Sequence, residues 1–276
     1  MISGATRVAA VIGSPVQHSL SPALHNAAFA QLGIDWVYVA FAVPEGGAQH
    51  ALDAMRAFDL GGLSVTMPHK EAVALGCDSL DPAAAALRSV NTVVPQADGT
   101  LRGHSTDGDG FIASLAADGV DVRGQHVAML GAGGAARAIA DALARHGAAR
   151  VTVVNRTPAG AEAAAALAGP IGEVGSAGSL RDADIVVNAT SVGMGGHELP
   201  CDPSVLRAGQ VVADIVYHPR DTALLQAARA AGARTVDGLG MLLHQAALQQ
   251  QLWHGQLPDV AGMAAAAEQA LAARRQ

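Results

Sequence analysis

Six groups of residues along this 276-residue chain have types and spacings suited to chemistry. Lys70 follows Thr66-Met67-Pro68-His69 just beyond a predicted strand end and opens a helical pattern. The positive end of a helix dipole disfavours a protonated amine, so a lysine there is suited to acid–base work; a solvated surface lysine is the plainer reading, and Lys70 alone decides neither. Asp107 stands where a strand pattern hands over to a helix, as a cap or as a ligand contact. Ser19 and Ser21 sit on alternate residues after a strand. One hydroxyl suffices for a helix cap, so the pair either braces the turn or faces a polyol or carboxylate. Asn91, inside the apolar stretch Ser89–Pro95, either satisfies backbone groups or points at a ligand. Val127–Arg137 runs from four apolar residues through the turn Gly131-Ala132-Gly133-Gly134-Ala135 into a helix, the opening of a dinucleotide-binding βαβ unit. At the end of the next strand, Asn155-Arg156-Thr157 carries no acid to bind ribose hydroxyls. Arg156 suits a 2′-phosphate and Thr157 can donate a further hydrogen bond, which favours NADP over NAD.

The elements that position these residues follow a βα rhythm. Strands are predicted over Val8–Gly13, Trp36–Ala42, Gly61–Val65, Arg150–Val154, Asp184–Asn188 and Val211–Ile215, with a short one opening Thr235–Gly240. Helices are predicted over Ala23–Leu32 (Ser21 as N-cap, Pro22 at its start), Gln49–Phe58, Ala135–Arg145, Ala159–Leu167 and Thr222–Ala231. A long helix begins at Gly240 and reaches about Trp253, and a terminal one spans Pro258–Arg274. This alternation implies mostly parallel sheets. The three glycines from Gly103 to Gly110 mark a hinge between two domains, where ligand clefts tend to form.

Composition sets the outer bounds. Half the residues are hydrophobic and 15% are charged, as in a well-buried globular chain. The net charge of −7, with no basic block, argues against nucleic acid as a partner. No apolar run has the length of a membrane helix, and the first residues lack a signal-peptide layout. Cys77 and Cys201 are isolated and lack metal-ligand spacing, which points to a reducing cytoplasm and no metal. His18, His69 and His104 are expected on the surface or behind a site rather than as catalysts.

Taken together, the motifs resemble the shikimate dehydrogenase family from Gly13 to beyond Pro258. The stretches are GSPVQHSLSPALHN (Gly13–Asn26), LSVTMPHK (Leu63–Lys70), SVNTVV (Ser89–Val94), STDGDGF (Ser105–Phe111), GAGGAARA (Gly131–Ala138), NRT (Asn155–Thr157), NATSVGM (Asn188–Met194), DIVYHP (Asp214–Pro219) and GLGMLLHQAA (Gly238–Ala247). The resemblance implies an α/β protein of two domains with the active site in the cleft between them. Residues 1–106 and 241–276 would form a discontinuous, mixed-sheet substrate domain, and 107–240 a Rossmann-type NADP-binding domain. It implies NADP-dependent, reversible reduction of 3-dehydroshikimate to shikimate by a monomer or homodimer. Lys70 and Asp107 match the family's catalytic pair and also its substrate contacts, with Ser19, Ser21, Thr66, Asn91, Tyr217 and Gln245. Gly131–Ala135, Asn155, Arg156 and Thr157 match the NADP site, and Thr190, Ser191, Ile215, Gly238 and Met241 fall where the nicotinamide half is held.

The chemistry suits that assignment. A ring ketone accepting hydride develops negative charge on oxygen and needs a cationic or proton-donating group within reach; Lys70 supplies it and Asp107 can orient it, and the residues leave open which of the two passes the proton. Three positions depart from the family pattern. Ser64 and Ser105 replace commoner asparagines beside the catalytic pair, and Gly160 stands where many members carry a second basic residue for the 2′-phosphate. A quinate or aminoshikimate dehydrogenase would share these motifs. A catalytically silent NADP(H)-binding regulator on the same fold would lack a reason to keep Lys70 and Asp107.

Overall fold

Two six-stranded sheets organise the chain, and a computed structural model describes them for residues 2–273. Arg274, the expected end of the last helix, lies outside the described residues. The chain divides into two units, one of residues 1–106 with 245–276 and one of residues 107–244.

The first unit begins with β1 (Arg7–Gly13), α1 (Ser21–Leu32), β2 (Trp36–Ala42), α2 (Ala48–Ala57), β3 (Gly62–Val65) and α3 (Lys70–Gly76). It continues with β4 (Ser79–Leu80), α4 (Pro82–Leu87), β5 (Thr92–Pro95) and β6 (Leu101–His104). The sheet order is β2-β1-β3-β5-β6-β4. β1 pairs in parallel with β2 and β3, and β5 is antiparallel to both β3 and β6. The continuous apolar run of β1 is explained by burial on both faces. Ala10 and Ile12 enter a cluster with Leu52, Met55, Leu63 and Val65, while Ala9 and Val11 enter another with Phe29, Tyr38 and Trp253. Gly62 is required by that second cluster, because a Cβ there would lie 2.3 Å from the Trp253 indole.

α1 starts earlier than predicted. Leu20, not Ser21, occupies the cap position and offers no side-chain hydrogen bond. Leu20 is 1% exposed, so its place in the core draws the helical turn back over Ser21. The Oγ of Ser19 accepts the Ser21 N–H at 3.1 Å and supplies part of the missing cap. The short elements β4 and α4 were too brief for periodicity to reveal.

The second unit runs α5 (Asp107–Ala117), β7 (His126–Leu130), α6 (Gly134–Arg145), β8 (Arg150–Val154), α7 (Pro158–Ala166), β9 (Gly172–Val174) and α8 (Ser179–Asp182). Then come β10 (Ile185–Asn188), β11 (Val211–Asp214), α9 (Ala223–Ala230) and β12 (Arg234–Val236). All its strand pairs are parallel, in the order β12-β11-β10-β7-β8-β9, which is the doubly wound dinucleotide-binding order. From Val127 to Leu130, β7 is again apolar because both faces are covered. Val127 and Met129 pack with Ile139 and Val153, Ala128 and Leu130 with Leu180 and Leu224. Asp107 heads α5 instead of preceding it, so its carboxylate meets the positive end of the dipole as a first-turn acid rather than as a cap.

α10 (Leu239–His254) passes from the second unit into the first, where α11 (Val260–Ala273) packs against α1. The division predicted after residue 240 falls inside α10, and the units part at 244/245. No helix among the described residues is long and apolar enough to cross a membrane.

Asp81 ties the short elements of the first unit together. Its Oδ1 accepts the Ala84 N–H at 2.6 Å as the N-cap of α4, and its Oδ2 lies 3.0 Å from the His104 Nδ1. Burial acts to raise its pKa, but the bonds from His104, Ala84 and Ser105 outweigh this and hold the carboxyl below its ordinary value. A carboxyl so lowered contributes stability above its unfolded pKa and loses it as pH falls through its folded one. Asp81→Ala is expected to cost about 1–2 kcal/mol near neutral pH. Urea titrations of both proteins should show that deficit shrinking in acid; a pH-independent deficit would contradict the assignment.

Candidate active site

In the first unit, polar groups gather where β1 and β3 end and β5 begins. Thr66 leaves β3 with its N–H donating to the Ile12 carbonyl at 3.0 Å, and a Cβ on Gly13 would lie 2.4 Å from its methyl group. The glycine at the end of β1 thus makes room for Thr66. Lys70 is the first residue of α3, and its carbonyl accepts the Val90 N–H at 3.0 Å. Asn91 is 3% exposed and works hardest. Its Oδ1 accepts the Thr106 N–H at 2.9 Å and the Thr92 hydroxyl at 2.8 Å, and its Nδ2 donates to the Thr106 Oγ1 at 2.9 Å. A buried amide in a strand must find such partners, and these fasten the residue that immediately precedes Asp107. Gln245, on α10, accepts at Oε1 from Gln249 at 2.9 Å. The first unit therefore holds Ser19, Ser21, Thr66, Lys70, Asn91 and Gln245, while Asp107 and Tyr217 belong to the second.

In the second unit, the glycine turn lies where the strand order reverses between β7 and β10, the position at which doubly wound sheets take their ligands. Gly131 has φ +107°, and a Cβ there would meet the Ala189 carbonyl oxygen at 2.8 Å, so only glycine is free of strain. Gly133 and Gly134 have nothing within 4 Å of an added Cβ. Gly133 precedes α6 without any side-chain cap, so the first N–H groups of the helix face an open approach. Uncapped N–H groups at a helix start over bare glycines suit a pyrophosphate. Arg156 and Thr157 are exposed after β8, and Asn155 Nδ2 donates to Thr157 Oγ1 at 2.9 Å, leaving the threonine proton to point elsewhere. A side chain at Gly160 would start 2.8 Å from both Asn155 Nδ2 and Thr157 Oγ1, a physical reason for the glycine there. The donor set fits a phosphorylated dinucleotide.

Two of the residues expected at the nicotinamide end, Thr190 and Ile215, bond to a buried pair that sequence reasoning did not assign. Asn188 ends β10 in register with Asp214, which ends β11, and its Nδ2 donates to Asp214 Oδ1 at 2.9 Å. Asn188 Oδ1 accepts from the Thr190 hydroxyl at 2.7 Å, and Asp214 Oδ2 accepts from the Thr222 hydroxyl at 2.7 Å. Burial raises the Asp214 pKa against the opposing pull of these bonds and that of the Val216 N–H. Gly238 presses on Ile215: a Cβ there would lie 2.4 Å from the Ile215 carbonyl oxygen. Met241 is mostly buried in the core beside them, whereas Ser191 is exposed. Polar residues ending two otherwise apolar strands were the available signal for Asn188 and Asp214.

His69 is 1% exposed with Nε2 at 2.9 Å from the Val43 carbonyl, and His104 is engaged by Asp81. His69 braces the backbone, and His104 braces the Asp81 side chain that caps α4. Among the described residues, no three His, Cys, Asp or Glu side chains converge as a metal site.

The comparisons with known proteins agree across the chain. The family model for the shikimate dehydrogenase substrate binding domain matches residues 11–93. That for shikimate / quinate 5-dehydrogenase matches 114–194, and that for the shikimate 5'-dehydrogenase C-terminal domain matches 238–268. A shikimate dehydrogenase (NADP(+)) of Moorella thermoacetica is 44% identical over 274 residues, covering 95% of this chain and 92% of that protein. One of Rubrobacter xylanophilus is 44% identical over 271 residues, covering 95% of each. The crystal structure of Thermus thermophilus shikimate 5-dehydrogenase in complex with NADP(H) and shikimate matches with a TM-score of 0.90 at 38% identity, covering 96% of this chain and 99% of that one. The chain belongs to the shikimate dehydrogenase family.

Proposed function

We propose that this protein reversibly reduces 3-dehydroshikimate to shikimate with NADPH. The observation that carries the reading is the polar set at the strand ends of the first unit, Thr66, Lys70 and Asn91 with Gln245 on α10, in a member of this family. Hydroxyls, amides and one ammonium suit a small polyhydroxylated acid, since each substrate group that found no partner would be left unpaired on burial.

The uncapped start of α6 and its glycines hold the pyrophosphate, and Arg156 and Thr157 hold the 2′-phosphate. Bound NADPH supplies the hydride for the ring carbonyl carbon. Lys70 holds a proton at the carbonyl oxygen, where negative charge develops. Asp107, at the start of α5, offers a carboxylate to accept from a neighbouring ring hydroxyl. Thr190 and Ile215, steadied by Asn188 and Gly238, support the nicotinamide half. A reducing compartment, the cytoplasm, suits the two free cysteines, whose thiols burial pushes up to about 11.

The test is a matrix of initial rates for shikimate and quinate against NADP+ and NAD+, in the wild type and in Arg156→Ala. Shikimate with NADP+ should have the highest kcat/KM. Arg156→Ala should weaken NADP+ by about one to two decades and spare NAD+. Turnover of quinate alone would overturn the substrate, and equal losses for both cofactors would remove Arg156 from the phosphate. Lys70→Ala should cut kcat by about 10²–10⁴-fold with an unchanged melting temperature; near-normal turnover would return Lys70 to the solvated surface.

A further inference from the structure

A line of buried hydrogen bonds ends on Gln245. The Tyr38 hydroxyl lies 2.6 Å from Ser64 Oγ, Ser64 Oγ lies 2.7 Å from Gln249 Oε1, and Gln249 Nε2 lies 2.9 Å from Gln245 Oε1. Tyr38, Ser64 and Gln249 are 2%, 5% and 2% exposed, so solvent cannot exchange for any of these partners.

The chain has one direction. Gln249 Nε2 also reaches the main-chain carbonyl of Asn91 at 3.4 Å, and a carbonyl only accepts. That sets the Gln249 amide with its NH2 toward Asn91 and Gln245 and its oxygen toward Ser64. The single Ser64 proton must then go to Gln249, so Ser64 accepts from Tyr38, and Tyr38 is the donor. Burial pushes the Tyr38 pKa up and keeps that proton in place, with the His25 ring stacked on its own at 4.2 Å between centroids. At the far end the Gln245 oxygen is turned to Gln249, and its NH2 is the end directed away from the chain.

We propose that Tyr38, Ser64 and Gln249 are positioning residues that fix Gln245 as a hydrogen-bond donor, so that it selects an acceptor oxygen on the substrate. The inference rests on the function proposed above for Gln245 as a substrate contact. It also gives Ser64, a departure from the family's usual asparagine, a specific task. A serine there is short enough to receive the Tyr38 proton and pass one of its own to Gln249.

The experiment measures KM and kcat for shikimate and KM for NADP+ in Ser64→Ala, Ser64→Thr and Gln249→Met, beside the melting temperature of each. Ser64→Ala and Gln249→Met should raise the shikimate KM about tenfold to a hundredfold with little change in kcat or in the NADP+ KM. Ser64→Thr, which keeps the hydroxyl, should restore it. A shikimate KM unchanged in folded Ser64→Ala and Gln249→Met overturns the proposal, as does a Ser64→Thr protein as impaired as Ser64→Ala. Should the wild type fail to oxidise shikimate, the function proposed above falls by itself. The positioning chain is then judged without ligand, from the Gln245 side-chain amide resonances. They should shift in Ser64→Ala and not in Ser64→Thr, and resonances unmoved in both would overturn it.

Discussion

A buried amide that must be fully paired, the side chain of Asn91, is the interaction on which the candidate site depends. Sheet formation leaves polar side chains at strand ends to find partners away from water, and an unpaired one costs about 1–3 kcal/mol. Asn91 meets that demand by clasping Thr92 and Thr106, and its main-chain carbonyl accepts the Val65 N–H at 2.8 Å. One residue thereby fixes the exit of β3 toward Thr66 and Lys70 and the last step of chain before Asp107. Its carbonyl also anchors the Gln249 amide. Thr66 and the chain that leads to Asp107 inherit their places from that pairing.

The second unit solves the same problem with a carboxylate. Asp214 is buried at the end of β11 and takes hydrogen bonds from Asn188, Val216 and Thr222. Groups set this way are costly to make alone and stable when complete. The loop after β10 and the turn after β11, which carry Thr190, Ile215 and Tyr217, are thus fixed by the sheet rather than by loop packing. The glycine turn adds access, since Gly131 admits the Ala189 carbonyl and Gly133 and Gly134 leave the start of α6 bare.

Much of this was legible in the sequence because its signals are local. Apolar runs such as Val127–Leu130 marked strands, and the glycines after Leu130 marked the turn. Asn155-Arg156-Thr157 pointed to a phosphate. The family motifs carried the candidate residues. What stayed hidden depends on contacts distant in sequence or on competition within a turn. Ser21 has the chemistry of a cap, yet burial of Leu20 shifts the helix start. Ser64 and Gln249 are 185 residues apart, so no pattern links them; only the spacing of Gln245 and Gln249 on one helix face hints at their contact. Asp81 is a short-range cap whose bond to His104 spans 23 residues.

The central claim is a proposed division of labour, with most substrate contacts on the strand-end polar groups of the first unit and the NADP phosphates on the switch-point turn and β8 end of the second. Amide hydrogen exchange in the presence of shikimate alone, then of NADP+ alone, tests it most directly. Shikimate should slow exchange around 19–21, 64–70, 91 and 245, and NADP+ around 131–137, 155–157 and 188–193. Protection by shikimate at the glycine turn, or by NADP+ at the strand ends of the first unit, would contradict the account.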